Sequence, residues 1–319
     1  MSAPRPSEVT PSEVTPSAVT IGKFDGLHRG HRALIDTLRG IADERGLRAV
    51  VVTFDRSPRE LFTGSDPGLL LSLDQRVELL RRTPADDVVV LTFDRELAGV
   101  EPEDFVRDTL IGELGMRVIV VGRDFRFGAK ARGDVALLQA LASDLDFDVV
   151  VLPDQVDGDA RVSSTAIRDA VRAGDVERAA SLLGRLHAVR GEVVTGARRG
   201  RELGYPTANL AAGSEGMVPA DGVYAGWLVD DDGTRYPAAI SVGSNPTFEG
   251  VPQQQVEAHL PGVDLDLYGH RVSVEFAHRL RGMVAYDGVA ALIDQMRADV
   301  ERTVELLGSD PVPPGSRAR

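Results

Sequence analysis

Between Ala18 and Arg45 the chain passes from a β-branched run through a glycine-rich turn into an amphipathic stretch, a succession that narrows the possible folds sharply. Ala18-Val19-Thr20-Ile21 is short and mostly β-branched, as suits a buried parallel strand. From Arg29 to Arg45, Leu34, Leu38, Ile41 and Ala42 recur at three- and four-residue steps, which predicts a helix. Gly22, Gly26 and Gly30 lie between these runs, together with His28 and His31. Glycines let the backbone turn tightly and approach a ligand closely. A helix start offers free N–H groups and the positive end of its dipole, and imidazoles there can donate to phosphate oxygens. The stretch reads as a phosphate site at the carboxyl edge of a parallel sheet; the plainer alternative is turn glycines beside surface histidines. The glycines are not spaced as in a dinucleotide fingerprint, and no P-loop sequence occurs. No cysteine or nearby third ligand completes a metal site around the histidines.

At 319 residues the chain can hold two domains of ordinary size. A formal net charge of -13 argues against general binding to nucleic acid or an anionic membrane, which need a basic surface. The absence of cysteine excludes disulfides and thiolate chemistry and fits a cytoplasmic setting. No signal-peptide pattern and no membrane-spanning apolar run is found. Residues 1–17, with Pro-Ser-Glu-Val-Thr repeated, read as a disordered tail, and residues 311–319 as a second tail.

From Val19 to about Leu152 strand-like runs (Ala49–Phe54, Asp87–Phe93, Arg117–Gly122, Asp148–Leu152) alternate with helix-like ones (Asp74–Arg82, Pro102–Glu113, Asp134–Ser143). Such alternation predicts an α/β domain with a doubly wound parallel sheet, whose ligands bind beyond the carboxyl ends of the strands. Three segments at those ends stand out. Thr53-Phe-Asp-Arg-Ser-Pro58 is followed by Phe62, which either covers a flat ligand or joins the core. Val121-Gly-Arg-Asp-Phe-Arg-Phe-Gly128 crowds aromatics and cations, suited to a flat ring carrying a phosphate or to a hydrophobic loop plug. Arg161-Val-Ser-Ser-Thr-Ala-Ile-Arg168 offers helix caps, and with Arg168 one turn in, a second anion site. A short helix, Asp175–Leu183, ends at Gly184, where we place a domain boundary.

Beyond it come short strands: Ala188–Val194, Val223–Val229, Tyr236–Val242, Gln255–His259 and Arg271–Phe276. A helical stripe of Leu292, Ile293, Met296, Val300, Val304 and Leu307 closes the chain. The pattern predicts a small antiparallel β-barrel with a C-terminal helix. Gly200-Arg-Glu-Leu-Gly-Tyr-Pro-Thr-Ala-Asn-Leu210 puts a basic glycine loop, with Arg201, before Thr207 and Asn209. Side chains two apart on an extended chain point the same way, and these neutral oxygens can help hold a magnesium already bound to phosphates. In isolation the segment is an ordinary loop.

The motif Gly-x-Phe-Asp-Gly-x-His-x-Gly-His resembles the nucleotidyltransferase signature in the form carried by FAD synthetases, and Val121–Gly128 and Val162–Arg168 resemble that family's flavin- and pyrophosphate-facing segments. Arg56 and Ser57 replace the family's Pro and His. Pro206–Asn209 resembles the Pro-Thr-Ala-Asn motif of riboflavin kinases, followed in order by Pro219–Ala225, Ser241–Phe248, Val256–Leu260, Asp266–Gly269 and Leu280-Arg281. The chain is thus similar to bacterial-type enzymes that join both activities. The resemblance implies an FMN adenylyltransferase domain over 18–184 and a riboflavin kinase domain over 185–310. It implies ATP as co-substrate, riboflavin and FMN as substrates, and Mg2+. Glu257 would be the kinase base, with Thr207 and Asn209 holding magnesium. Gly22, Phe24, Gly30, Ser164, Thr165, Arg168, Gly200 and Arg201 would hold ATP phosphates, with His28 and His31 assisting transfer. Phe62, Asp124, Phe125, Phe127 and Arg281 would contact flavin. Two other readings remain: a kinase whose first module is weakened at Arg56 and Ser57, and a non-catalytic flavin sensor. The oligomeric state stays open.

Overall fold

The computed structural model describes residues 14–64, 68–158, 160–196, 204–244 and 254–308. The chain divides into two compact units that interleave in sequence. One holds the N-terminal residues to Lys23, His31–Asp66 and Leu79–Asp154; the other holds Phe24–Gly30, Pro67–Glu78 and everything from Gln155 on.

In the first unit, β1 (Ser17–Ile21), β2 (Arg48–Phe54), β3 (Asp87–Leu91), β4 (Met116–Gly122) and β5 (Asp148–Leu152) form one sheet in the order β3-β2-β1-β4-β5, every pairing parallel. The strands are Val/Ile-rich because both sheet faces are covered; Val50, Val51, Val52, Val118, Ile119 and Val120 are all buried. Helices α1 (Arg29–Arg45), α2 (Pro58–Thr63), α3 (Leu73–Arg81) and α5 (Val135–Leu145) connect the strands. The helix expected over Pro102–Glu113 is one α-turn, α4 (Pro102–Asp104), that widens into a π-helix over Phe105–Glu113 and buries Phe105, Val106 and Leu110. β1 begins inside the stretch read as tail. Ser17 is fully buried, with its amide on Gly115 O (2.9 Å) and its hydroxyl on Leu114 O (2.6 Å), which corrects the tail boundary by that residue. The winding reverses between β1 and β4, so the crevice beyond Gly22 and Gly122 is where a sheet of this order takes ligands.

The second unit contains a closed antiparallel barrel. Its strands are β8 (His187–Val194), β9 (Thr207–Leu210), β10 (Gly222–Val229), β11 (Arg235–Ser244), β12 (Gln254–His259) and β13 (Arg271–Arg281), ordered β10-β11-β12-β9-β8-β13. A two-stranded ribbon, β6 (Val156–Asp157) with β7 (Ala160–Arg161), and helices α6 (Ser164–Ala173) and α7 (Val176–Leu183) precede it. The barrel interior packs Val189, Leu228, Ile240, Val242, Val274 and Phe276, each 0 % exposed. Closure removes open strand edges.

The C-terminal helix, α8 (Val289–Leu307), packs on β10 and β11. Its apolar stripe is only half-buried, while Asp299 and Thr303 are buried. Arg281 grips Asp299 through Nε (3.1 Å) and Nη2 (2.7 Å), Gln295 donates to the same carboxylate (2.9 Å), and the Tyr286 ring lies 5.8 Å from the guanidinium. Removing one partner strands a buried charge. Asp299→Ala should therefore lower the unfolding free energy by about 3 kcal/mol in urea melts, with Arg281→Ala doing nearly as much.

Candidate active sites

The loop from β1 to α1 is held in unusual backbone. Phe24, Gly26 and Leu27 are left-handed, at φ 48°, 84° and 39°. For non-glycine residues that costs about 1–3 kcal/mol each, so the surroundings must impose it. Phe24 and Leu27 are buried at 1 % and 0 % exposure, and a Cβ on Gly26 would lie 2.8 Å from Leu70 Cδ1. Asp25 secures the turn. Its carboxylate, 2 % exposed, accepts from the amides of Leu70 (2.9 Å) and Leu71 (3.2 Å) through Oδ1, and from Arg168 Nη1 (2.9 Å) through Oδ2. The Asp25 carbonyl accepts from Ser164 Oγ (2.8 Å). The histidine loop and the start of α6 are thereby joined within one unit.

At that helix start the hydroxyls divide the work. Ser163 is the cap, accepting from Ala166 N at 3.2 Å. Ser164 is turned to Asp25. Thr165 is exposed, with Arg168 Nη2 3.3 Å from its hydroxyl. His28 is 7 % exposed. Burial first, then the nearby charges of Arg161 and Arg185, push its pKa down to about 4, so near neutral pH it is a neutral imidazole. A Cβ on Gly30 would come 3.2 Å from the His28 ring, so Gly30 makes room for the imidazole. His31 sits in the first turn of α1. Phe24 is buried, and its carbonyl accepts from the Leu27 amide at 3.0 Å, so it shapes the turn.

In the first unit Phe62 is 67 % exposed on α2, which sets aside its core reading. Phe127 does the opposite. It is 7 % exposed and lies 6.4 Å from Phe105; a Cβ on Gly133 would come 2.7 Å from its ring. Phe127 therefore plugs the loop, and Phe125 stacks on it at 5.4 Å and remains half-buried. Asp124 is exposed.

On the barrel, Glu257 pairs directly with Asn209 across β12 and β9, and His259 with Thr207. Directly opposed residues share a sheet face with Cβ atoms roughly 5 Å apart. Ala258, between them, points to the core at 1 % exposure. Asn209 Nδ2 donates to Thr207 Oγ1 and Thr207 O, both at 3.1 Å. Its Oδ1 faces Gly196, where a Cβ would intrude to 2.4 Å. Thr207 and Asn209 line a cavity of about 290 Å³ whose far wall includes Asp264, Asp266 and Tyr268. Arg281, expected at the flavin, is instead engaged by Asp299, with Nη1 on Gly282 O at 3.1 Å; its work is to dock α8. Gly200 and Arg201 lie outside the described residues, as do residues 1–13 and 309–319.

The order of these two assemblies along the chain is matched in known proteins. An FAD synthetase family model matches residues 10–166, and a riboflavin kinase model matches residues 183–307. The bifunctional riboflavin kinase/FMN adenylyltransferase of Escherichia coli (strain K12) is 36% identical over 284 residues, 89% of each chain. That of Bacillus subtilis (strain 168) is 31% identical over 291 residues, 89% of this chain and 90% of the relative. The chain belongs to the bifunctional riboflavin kinase/FMN adenylyltransferase family. A solved structure described as a macrolide-efflux protein from Streptococcus pneumoniae superposes with a TM-score of 0.83 at 35% identity, covering 92% of this chain and 94% of that one. Among the described residues no helix is long and apolar enough to cross a membrane.

The departures from the family's Thr-Phe-Asp-Pro-His-Pro pattern have local structural work. Ser57, 2 % exposed, caps α2 by accepting from Glu60 N at 3.0 Å, and Pro58 opens the helix. Asp55 accepts from the Phe93 amide (2.8 Å) and lies 3.5 Å from the Arg56 guanidinium. Sequence reasoning passed over Asp25 and Arg185. Asp25 had a visible signal, a lone acid inside a motif otherwise suited to anions; Arg185 had none.

The buried histidines make stability pH-dependent. His187 Nε2 lies 2.6 Å from Met217 O, and burial pushes its pKa down to about 4, like that of His28. Unfolded, both titrate near 6.5. Between pH 6.5 and 4 the unfolded chain therefore binds protons that the folded chain does not, and stability falls as pH falls, by up to on the order of 3 kcal/mol per histidine. Urea unfolding at pH 7, 6 and 5 should show the decline, and His187→Gln, which still offers a donor to Met217 O, should make it shallower.

Proposed function

We propose that the chain carries both activities of its family: it phosphorylates riboflavin to FMN with ATP in residues 185–310, and adenylylates FMN to FAD with release of pyrophosphate in residues 18–184. The observation that carries the kinase assignment is the register of Glu257 opposite Asn209, with Thr207 two residues along on the same face. A carboxylate there can orient the riboflavin hydroxyl and take its proton as the hydroxyl attacks the γ-phosphorus. The neutral oxygens of Thr207 and Asn209, beside a cradle that only Gly196 leaves open, fit a magnesium brought in on ATP phosphates. That ion, when bound, would neutralise phosphate charge. The loop at Gly200 and Arg201 would wrap the nucleotide.

In adenylylation the FMN phosphate is already an anionic nucleophile and needs no general base. His28 and His31 would position phosphate oxygens by hydrogen bonding, and the neutral state of His28 makes it a directed donor rather than a charge. Thr165, Arg168 and the free amides of α6 would hold the leaving pyrophosphate. Gly22 and Gly30 would let the backbone come close to ATP. Phe62 and Phe125 would offer ring faces to the flavin, with Asp124 beside them. ATP, riboflavin and FMN are then the small-molecule partners, and nucleic acid and membrane are not. A cytoplasmic setting, where ATP and reduced conditions coincide, completes the proposal.

Chromatographic separation of riboflavin, FMN and FAD over time tests it. FMN should rise and give way to FAD. Glu257→Gln should abolish FMN formation, by about a thousand-fold or more, while leaving FMN-to-FAD conversion; His28→Ala should do the reverse. FMN accumulating without FAD in the unmodified chain would favour the weakened-module reading at Arg56 and Ser57.

A further inference from the structure

We infer that Asp25 is a positioning residue for adenylyl transfer: it aims Arg168 across the start of α6 and cancels its charge, so that Arg168 acts there as a directed donor rather than as a net positive charge. The inference rests on the adenylyltransferase reading above. Four observations carry it. The Asp25 carboxylate is 2 % exposed and fully employed, by the amides of Leu70 and Leu71 on one oxygen and Arg168 Nη1 on the other. Arg168 keeps Nη2 on Thr165 Oγ1 at 3.3 Å, at the edge of the helix start where the free amides point. Ser164, which would otherwise compete for the ligand, is committed to the Asp25 carbonyl at 2.8 Å. The loop that presents His28 is left-handed at Phe24 and Leu27, on either side of Asp25, so the same residue that aims Arg168 also holds the histidine in place.

A guanidinium pinned by a carboxylate presents its remaining N–H groups in a fixed plane. It adds no net charge with which to trap pyrophosphate after the bond to the α-phosphorus has broken. Removing the Asp25 charge would therefore act in two opposed ways. The site would gain one positive charge, which favours holding ATP, and lose the aim of Arg168, which slows transfer. Removing Arg168 alone is worse, because it leaves an uncompensated carboxylate where phosphates must sit.

The full-length chain and its D25N, R168A, D25N/R168A and R168K variants are assayed for FAD formation from FMN at varied ATP, with FMN formation from riboflavin by the same molecules as the control for folding. We expect D25N to lower kcat for FAD formation about ten-fold with no rise in KM for ATP. R168A should lose about a hundred-fold, and D25N/R168A should recover at least about three-fold over R168A. R168K, which keeps the charge pair without touching the buried acid, should lower kcat about ten-fold. Riboflavin phosphorylation should stay within about two-fold throughout. A higher KM for ATP in D25N, a double variant no faster than R168A, R168K behaving as wild type, or parallel loss of both reactions would overturn the inference and leave Asp25 as a strut of the fold. An unmodified chain that makes FMN but no FAD would instead overturn the adenylyltransferase reading itself, and this inference with it.

Discussion

A buried carboxylate is costly unless every lone pair it offers is answered, and much of the second unit is arranged to answer one. Asp25 draws to itself the amides of Leu70 and Leu71 and the guanidinium of Arg168, and lends its own carbonyl to Ser164. These partners come from two stretches, 45 and about 140 residues further along the chain, so each bond also closes a long loop. The left-handed Phe24 and Leu27 follow from that arrangement. Neither residue chooses such backbone locally, and both are buried where the chain cannot relax. Gly26 and Gly30 are small for the same reason: one lies against Leu70, the other against the His28 ring.

An acidic chain that handles triphosphates faces a second constraint. With a formal net charge of -13, long-range attraction cannot gather ATP, and recognition must be local. Both candidate sites carry neutral, oriented donors or acceptors. His28 is neutral because burial and two neighbouring arginines keep the proton off, and Arg168 has its charge cancelled. Thr207 and Asn209 offer neutral oxygens, and the Asn209 amide donates to the Thr207 hydroxyl at 3.1 Å. Preorganised donors in water-poor surroundings do more for a developing charge than mobile cations in water, because they need not reorganise as the charge moves.

The fold was legible where local pattern and tertiary structure agree. Asp148–Leu152 is legible to the residue, since three β-branched valines between an aspartate and a leucine favour a strand. α7 begins at its Asp175 cap and stops at left-handed Gly184. Thr207–Leu210 is a strand that propensity does not announce. It is four residues long, follows a proline, contains Asn, and exists because β8 and β12 flank it. α2 is short, and its Ser57 cap stands in a segment that reads as a loop at a strand end. Phe127 turns inward because Gly133 leaves a gap, and Arg281 is engaged by Asp299, 18 residues on. No one-dimensional pattern carries those pairings. The Asp25–Arg168 contact spans 143 residues, and only the fold brings its halves together.

Chain order also conceals where α6 belongs. Its motif was read with the nucleotidyltransferase half, and its first turn carries the residues assigned to that reaction. Its other end is locked to the barrel. Arg279 on β13 donates to Ala173 O at 2.8 Å and to Asp221 O at 3.2 Å, and its amide donates to Glu177 at 3.2 Å. A Cβ on Gly174 would lie 2.7 Å from the Tyr224 hydroxyl, so the left-handed C-cap is seated against barrel strand β10 with no slack. A cation on the last carbonyls of a helix is where the dipole favours it. Ten residues of α-helix make a rod of roughly 15 Å. Thr165 and Arg168 at one end are therefore aimed from both ends, by Asp25 at the helix start and by a kinase-barrel strand behind it. The seam implied by the motifs, at Gly184, runs through a packed element-to-element contact, since Ala179, Leu182 and Leu183 of α7 are all buried and α7 packs against β8 and β13. The helix start proposed for adenylyl transfer is thus seated by barrel residues that lie at the other end of the same helix.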